Sequence, residues 1–337
     1  MDAMRYSRQM LFAPINEQGQ QKLTDSSVLV VGAGALGTVI CNHLVRAGIG
    51  KIRLIDRDYV ELSNLQRQML FDEDDVRKAL PKAIAATQKL KKMNSEVEME
   101  AIVGNVTNEN VEELMKDIDI VMDGTDNFAT RFLLNDACFK LKVPFSYGGV
   151  VSSRGMTAFF IPGKTLCLRC MVQESAGNGQ TCDTVGVIGP VVDIISSLQV
   201  TEAMKYMTGN EEHLRNSLKT MDIWFNQTYD IKFTDPNPAC PTCVKKDFPA
   251  LTKSAKNMET TLCGRNTVQI HQNKEMDLEL WEQRLSGVSE AKRTPFLLKA
   301  DFRNGLKLVI FPDGRVLVQG TEDSVKARTI YDRYIGS

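Results

Sequence analysis

The chain has 337 residues, enough for two domains, and 43% of them are hydrophobic, which is ample for a large core. A formal charge of −1 leaves no global basic field to draw in nucleic acid or a membrane surface. No stretch is long and apolar enough to span a bilayer, and the first residues, Met1-Asp-Ala-Met-Arg-Tyr-Ser-Arg8, carry no apolar signal core, so a cytoplasmic protein is expected. In that compartment eight cysteines read as metal ligands, core residues or reactive thiols rather than disulfides. Three histidines, His43, His213 and His271, weaken any mechanism that needs an imidazole base.

Strand and helix signals alternate through the first half. Ser27–Val31 is a short apolar run ending in a glycine-rich loop, so it reads as a buried parallel strand. Leu36, Ile40, Leu44 and Ala47 recur at helical spacing, and Gly48 is a natural stop. Lys51–Asp56 is a second strand with an acid at its end. Pro81 opens a helix with Ile84, Leu90 and Met93 inward, and Val97–Val103 alternates like a strand. Ile118–Asp123 is another buried strand, followed by the polar turn Gly124-Thr-Asp126-Asn127, a helix from Asn127 to Leu141 and a strand at Val143–Tyr147. This alternation predicts an α/β fold, a doubly wound Rossmann-like and mostly parallel sheet.

After Gly149 the pattern changes. Gly155–Ile161 reads as an antiparallel strand, Gln173–Asp183 as a mobile polar loop, and Pro190–Met207 as a helix apolar nearly all round, hence buried or at a subunit interface. Strands are expected near Met221–Phe225 and Tyr229–Phe233. Lys253–Asn257 reads as a linker to a small α+β appendage. That appendage has a strand at Thr267–Ile270, a helix around Trp281, three further strands with turns at Arg303-Asn-Gly305 and Pro312-Asp-Gly314, and a final helix from Asp323 to Tyr334.

Two motifs carry chemistry. Gly32-Ala-Gly34-Ala-Leu-Gly37 follows a strand and opens a helix, so its backbone can turn tightly and offer free N–H groups to phosphate. Asp56 lies about twenty residues on, where an acid accepts from a ribose hydroxyl. Alone, these features fit NAD, FAD or ATP. Asp58, Asn64, Arg67, Lys82 and Asp126 then crowd the strand ends with charge, which suits phosphoryl or nucleotidyl chemistry; arginine clamps phosphate and aspartate holds Mg2+. Taken singly, each is as easily a solvated surface group. The second motif is a pair of C-x-x-C turns, Cys167-Leu-Arg-Cys170 and Cys240-Pro-Thr-Cys243, whose four thiolates can close a tetrahedral Zn2+ site. Cys41 and Cys138, on amphipathic helices, read as core residues.

These motifs, in this order, resemble the ThiF/MoeB/HesA adenylyltransferases, relatives of the ubiquitin-activating enzymes. The matching elements are Arg5-Tyr-Ser-Arg8-Gln, the glycine loop, Asp56-x-Asp58, Asn64-Leu-Gln-Arg67-Gln, Pro81-Lys82, Gly124-Thr-Asp126-Asn127, both cysteine pairs, and Thr181-Cys182 before Gly186-Val-Ile-Gly-Pro190. The resemblance implies an enzyme that attaches AMP from Mg-ATP to the C-terminal Gly-Gly carboxylate of a ubiquitin-like sulfur carrier. The carrier would serve molybdopterin or thiamine thiazole synthesis. Residues 1–250 would form the ATP-binding and zinc-containing body, and residues 258–337 an appendage of unassigned role. Asp56 would bind ribose and Asp126 would hold Mg2+. Asn64, Arg67 and Lys82 would bind the phosphates, with Asp58 supporting the ribose or metal region. Arg8 would reach the γ-phosphate in the neighbouring subunit of a homodimer. Cys182 would be either a covalent link to the carrier or an ordinary loop thiol. Cys263-Gly-Arg is too poor a match for a sulfur-transfer domain, so sulfur would come from a separate donor such as a cysteine desulfurase.

Three other readings compete. A related adenylating enzyme could take a peptide C-terminus or a modified tRNA nucleoside; the lack of a basic run disfavours tRNA. An NAD-dependent oxidoreductase would explain the glycines and Asp56 but not Arg67, Lys82, Asp126 and the cysteines. A catalytically dead partner-binding protein would leave the charged set without a purpose.

Overall fold

The computed structural model describes residues 3–172, 185–252, 259–262, 266–272, 274–303 and 305–336. The expected loop Gln173–Asp183, the linker Lys253–Asn257, and the thiols Cys182 and Cys263 lie outside the described residues. The chain divides into two compact units, Met1–Ser254 and Ala255–Ser337.

In the first unit an eight-stranded sheet runs in the order β3-β2-β1-β4-β5-β6-β7-β8. The strands are β1 (Ser27–Val31), β2 (Lys51–Asp56), β3 (Glu98–Val103), β4 (Ile120–Asp123), β5 (Phe145–Val151), β6 (Arg154–Phe160), β7 (Ser217–Asp222) and β8 (Gln227–Lys232). The first five are parallel to their neighbours and the last three extend the sheet antiparallel. Helices cover both faces, which explains why β1 is an unbroken apolar run. Val28 and Val30 face a core with Leu36, Ile40 and Leu44 of helix α3 (Ala35–Ala47). Leu29 and Val31 face the other, with Phe132 and Leu134 of helix α7 (Phe128–Leu141). Between them in sequence lie the short helices α4 (Glu73–Arg77), α5 (Lys82–Met93) and α6 (Val111–Leu114). Helix α5 starts after Pro81 as expected, but its inward face is Ala83, Ala86 and Leu90, while Ile84 is only half-buried. Small residues let α5 approach the sheet closely.

Helices α1 (Ala3–Met10) and α2 (Asn16–Asp25) precede the sheet. Tyr6 fixes α1: its ring fills the space a side chain at Gly48 would need (2.4 Å), and its hydroxyl accepts from Asn94 Nδ2 at 2.8 Å. Gly48 ends α3 in the left-handed conformation (φ +81°), as expected of a helix stop. After β6 come the short helix α8 (Leu168–Met171) and the long helix α9 (Gly189–Thr208), which buries Val191, Val192 and Ile195. The strand expected at Met221–Phe225 stops at Asp222. The Asp222 carboxylate accepts from the N–H groups of Trp224 (3.2 Å) and Phe225 (3.4 Å) and turns the chain. Trp224 and Phe225 therefore project from the hairpin, 70% and 66% exposed.

The second unit is a six-stranded antiparallel sheet in the order β11-β12-β13-β14-β10-β9. It comprises β9 (Glu259–Leu262), β10 (Thr267–His271), β11 (Glu290–Arg293), β12 (Leu298–Asp301), β13 (Lys307–Ile310) and β14 (Arg315–Gln319), with helices α11 (Leu278–Leu285) and α12 (Ser324–Tyr334); α10 (Pro249–Thr252) ends the first unit. Its core includes Val268, Ile270, Leu298, Leu308, Ile310, Val316, Val318 and Tyr331. Four strands, not three, follow α11. The extra one, Glu-Ala-Lys-Arg, is a charged edge strand without the apolar alternation that reveals a strand in sequence.

The order of strands reverses between β1 and β4, so the loops after them open a crevice at the switch point. There the backbone is pressed against itself. A Cβ on Gly37 would sit 1.7 Å from the Gly32 carbonyl oxygen, and a Cβ on Gly32 (φ +92°) 2.6 Å from that of Gly124. At Gly34 the nearest atoms are 3.9 Å away. Gly37→Ala is expected to cost about 4 kcal/mol or more and lower Tm by roughly 10 °C, whereas Gly34→Ala costs about 1 kcal/mol. Calorimetric melting of both variants checks this, and equal Tm values would contradict the crossing.

Candidate active site

The glycine loop delivers the N-terminus of α3 to the crevice with no capping side chain. Its leading N–H groups therefore face the crevice, and the open space at Gly34 is a cradle that any Cβ would narrow. Asp56 ends β2 beside it. Its Oδ2 accepts from Ala33 N and its Oδ1 from Asp58 N, both at 2.6 Å, so this acid also shapes the loop. Each oxygen keeps a further lone pair for a ribose hydroxyl. Burial raises the Asp56 pKa above the usual carboxylate range; Lys82 pulls it down and Asp58 pushes it up.

Lys82 is the first residue of α5, and its side chain is only 4% exposed. A cation at a helix N-terminus opposes the helix dipole. Asp58 offsets this: its Oδ2 lies 3.6 Å from Lys82 Nζ, and its carbonyl accepts from Lys82 N at 2.8 Å. Asp58 thus aims the lysine. Asn64 closes a single 3₁₀ turn, Leu62–Asn64, and its Oδ1 accepts from Glu61 N at 3.1 Å in a reciprocal capping box. Arg67, one turn on, is half-buried and donates to Ser63 O at 2.9 Å. Asp126 is exposed on the loop three residues past β4.

Arg8 is not brought to this crevice. It lies on α1, which Tyr6 pins to the C-terminal end of α3, whereas the glycine loop meets the N-terminal end. Thirteen helical residues separate those ends by about 20 Å, beyond an arginine's reach.

The structure adds residues that the sequence reading missed. Asp123, fully buried at the end of β4, accepts from Arg131 Nε at 3.1 Å and from Thr125 N (2.9 Å) and Oγ1 (2.6 Å). Burial raises its pKa, and Arg131 with the Thr125 donors pulls the other way. Arg131 also donates to Thr125 O at 2.7 Å and Gly148 O at 3.1 Å, and lies over the rings of Phe128 and Tyr147. Gln199 of α9 donates to Asp123 O at 3.0 Å and Ser146 O at 3.2 Å. Gln68 is buried beside Gly34, and its Oε1 finds no hydrogen-bond partner among the described residues. The available signal for Arg131 was its place, with Asn135 and Asp136, among the apolar residues of α7.

The four cysteines of the two C-x-x-C turns converge, with all their sulfurs within 4.8 Å of one another. Cys167 Sγ lies 3.5 Å from Cys240 Sγ, and Cys170 Sγ 3.4 Å from Cys243 Sγ. Around a zinc ion with bonds of about 2.3 Å, tetrahedral sulfurs stand about 3.8 Å apart, so the tetrad can hold such a metal. Burial, and then repulsion from Cys240, pushes the Cys167 thiol up to about 12. Cys243 also rises, first by burial and then by repulsion from Cys167. Burial opposes ionisation of Cys240, but hydrogen bonds from Cys243 outweigh it and lower its pKa. Cys41 and Cys138 are buried core residues, and burial raises both thiols.

Fold and site together define a Rossmann-like α/β protein whose crevice offers the free N–H groups of a helix N-terminus, a buried lysine and several carboxylates, with a four-thiol centre in the same unit. Residues 6–242 match the ThiF family model, and the chain belongs to the ThiF family. It is an adenylyltransferase that uses ATP. It is similar to the sulfur carrier protein ThiS adenylyltransferase of Bacillus subtilis, 45% identical over 336 residues, 98% of this chain and 99% of that protein. The Escherichia coli protein of the same name is 40% identical over 211 residues, 62% of this chain and 83% of that one. A structure of E. coli MccB with ATP matches with a TM-score of 0.62 and 25% identity, over 71% of this chain and 74% of that one. No helix among the described residues is long and apolar enough to cross a membrane.

Metal loading of the thiol-form protein is expected to release protons, because raised thiol pKa values keep protons on Cys167 and Cys243 at neutral pH. Calorimetric zinc titration in buffers of different ionisation enthalpy measures this. A heat independent of buffer would contradict it. Conversely, acidification should drive metal off as thiolates reprotonate.

Proposed function

We propose that this chain adenylates the C-terminal Gly-Gly carboxylate of a ThiS-type, ubiquitin-like sulfur carrier. The observation that carries this reading is the likeness to the B. subtilis ThiS adenylyltransferase along almost the whole of both chains, appendage included. The carrier carboxylate attacks the α-phosphorus of ATP; a carboxylate–phosphorus bond forms, the α–β phosphoanhydride breaks, and pyrophosphate leaves. The nucleophile is already ionised, so alignment and charge neutralisation suffice. This fits a crevice whose ionisable groups are carboxylates, Lys82 and Arg67.

In this reading the unpaired N–H groups of the first turn of α3, Ala35, Leu36 and Gly37, cradle phosphate and Asp56 accepts from ribose. Asp58 holds Lys82 against the phosphates, while Asn64 and Arg67 complete the clamp on the departing pyrophosphate. Asp126, exposed at the mouth, would hold Mg2+, which neutralises phosphate charge when bound. Zn2+ at Cys167, Cys170, Cys240 and Cys243 is structural, since the tetrad leaves no ligand position open. Arg8 serves the second subunit of a homodimer, because α1 carries it away from its own crevice. Cys182 acts after adenylation, and sulfur comes from a separate donor such as a cysteine desulfurase.

ATP–pyrophosphate exchange with a ThiS-type carrier tests the reading. Arg67→Ala and Asp126→Ala should each lower exchange by about 100-fold or more, while Cys182→Ala leaves it intact. Exchange with a short free peptide but with no Gly-Gly carrier would favour the alternative of a peptide C-terminus as acceptor instead. Arg8→Ala and Arg67→Ala chains, each inactive alone, should recover part of the exchange when mixed; failure to complement would remove the homodimer from the mechanism.

A further inference from the structure

Asp136 is fully buried in the middle of α7, outside both the nucleotide crevice and the sulfur tetrad. Its carboxylate is saturated with donors. Oδ1 accepts from Thr242 Oγ1 at 2.6 Å, Arg169 Nε at 2.8 Å and Asn135 Nδ2 at 3.1 Å. Oδ2 accepts from Arg169 Nη2 and from Ala250 N, both at 2.9 Å. Arg169 is the third residue of Cys167-Leu168-Arg169-Cys170, and Thr242 is the third residue of Cys240-Pro241-Thr242-Cys243. One carboxylate therefore grips the same position in both cysteine turns, which are 73 residues apart in sequence. The neighbouring Asn135 adds to the grip, its Oδ1 accepting from Leu168 N at 2.9 Å. Arg169 is itself locked, with its guanidinium 4.6 Å from the Phe132 ring centroid.

We propose that Asp136 is the positioning residue of the metal centre, holding the two cysteine turns at the separation where their sulfurs converge before metal arrives. This rests on the reading that the tetrad holds a metal. An ion pair this deep is a poor source of stability, because desolvating both charges cancels most of their attraction. It is a good source of geometry. A bidentate fork fixes Arg169 in angle as well as distance, and Thr242 reaches the same oxygen. Preorganising ligands through groups behind them strengthens metal binding by about 10- to 100-fold in comparable sites.

The test uses the full chain loaded with zinc and challenged with a chromophoric chelator, which reads both affinity and release rate. Thr242→Val deletes one donor and keeps the side-chain shape. Asp136→Asn sets an amide N–H against donors and leaves Arg169 without its counter-charge. Zinc affinity is expected to fall about 10-fold in Thr242→Val and about 100-fold in Asp136→Asn. The rise in Tm on metal loading should shrink in step, while the metal-free Thr242→Val protein melts close to the metal-free parent. If Asp136→Asn does not fold, Thr242→Val decides. Unchanged zinc affinity with equal losses of Tm in the loaded and metal-free forms would overturn the proposal and leave Asp136 a stabilising pair only. A parent chain that binds no zinc would overturn the metal reading first, and this inference with it.

Discussion

The contact on which the rest depends is backbone against backbone, where the loop after β1 crosses the loop after β4. Gly32, Gly37 and Gly124 touch there without side chains; a Cβ on Gly124 would lie 2.6 Å from Gly32 O and 3.0 Å from Gly37 Cα. That closeness draws the start of α3 down onto the carboxyl ends of the strands. It sets Asp56 of β2, the N–H groups of α3 and the Gly124–Asn127 turn around one crevice. A larger residue at any of the three would push α3 outward, and the N–H groups would no longer converge on one point. The glycines thus place several functional groups at once while contributing no chemistry of their own.

Helix α7 carries that arrangement across the unit. Asn127 caps it, accepting from Thr130 N at 2.9 Å. One turn in, Arg131 ties it to the end of β4 through Asp123; further on, Asn135 and Asp136 tie it to both cysteine turns. Two buried ion pairs on one helix are costly by desolvation and weak as a source of stability. What they supply is register. Apolar side chains in a helix–sheet layer can slide by a fraction of a turn at little cost. A guanidinium fork on a carboxylate cannot, because each lost hydrogen bond leaves a buried charge unsatisfied. The crevice and the thiol centre are therefore referenced to one rigid rod.

Much of this was legible in sequence for simple reasons. Strands β1 and β4 are buried on both faces, and the resulting apolar runs are hard to mistake. Gly48, Pro81 and Asn127 stop or start helices by chemistry that acts locally. The cysteine pairs announce themselves by spacing. Most of what stayed hidden depends on contacts between distant segments. Nothing local says that Arg131 would find Asp123, or that Arg169 and Thr242 would share Asp136. Met221–Phe225 reads as a strand by propensity, yet Asp222 folds the chain back before Trp224. The edge strand Glu290–Arg293 has no apolar face to betray it. Apart from the local turn at Asp222, residues whose conformation follows from their own neighbourhood could be read, and those set by a partner far along the chain could not.

The acids of the crevice show how the same residue type is divided by its surroundings. Both oxygens of Asp123 are committed to Arg131 and Thr125 in a dry interior, so this carboxylate is architectural. Asp56 is half committed; its two backbone N–H partners shape the loop, and lone pairs remain for a hydroxyl. Asp58 is turned toward Lys82 and sets the direction of that cation. Asp126 alone of the four stands exposed on a loop. A hydrated divalent cation needs an acid it can reach without stripping its water or displacing a buried guanidinium. Of the four, Asp126 meets that condition and Asp123 fails it, although Asp123 is the acid that ends the strand. Accessibility therefore favours Asp126 over Asp123 for the proposed Mg2+ role, and the strand-end position belongs to the residue that holds α7 in place.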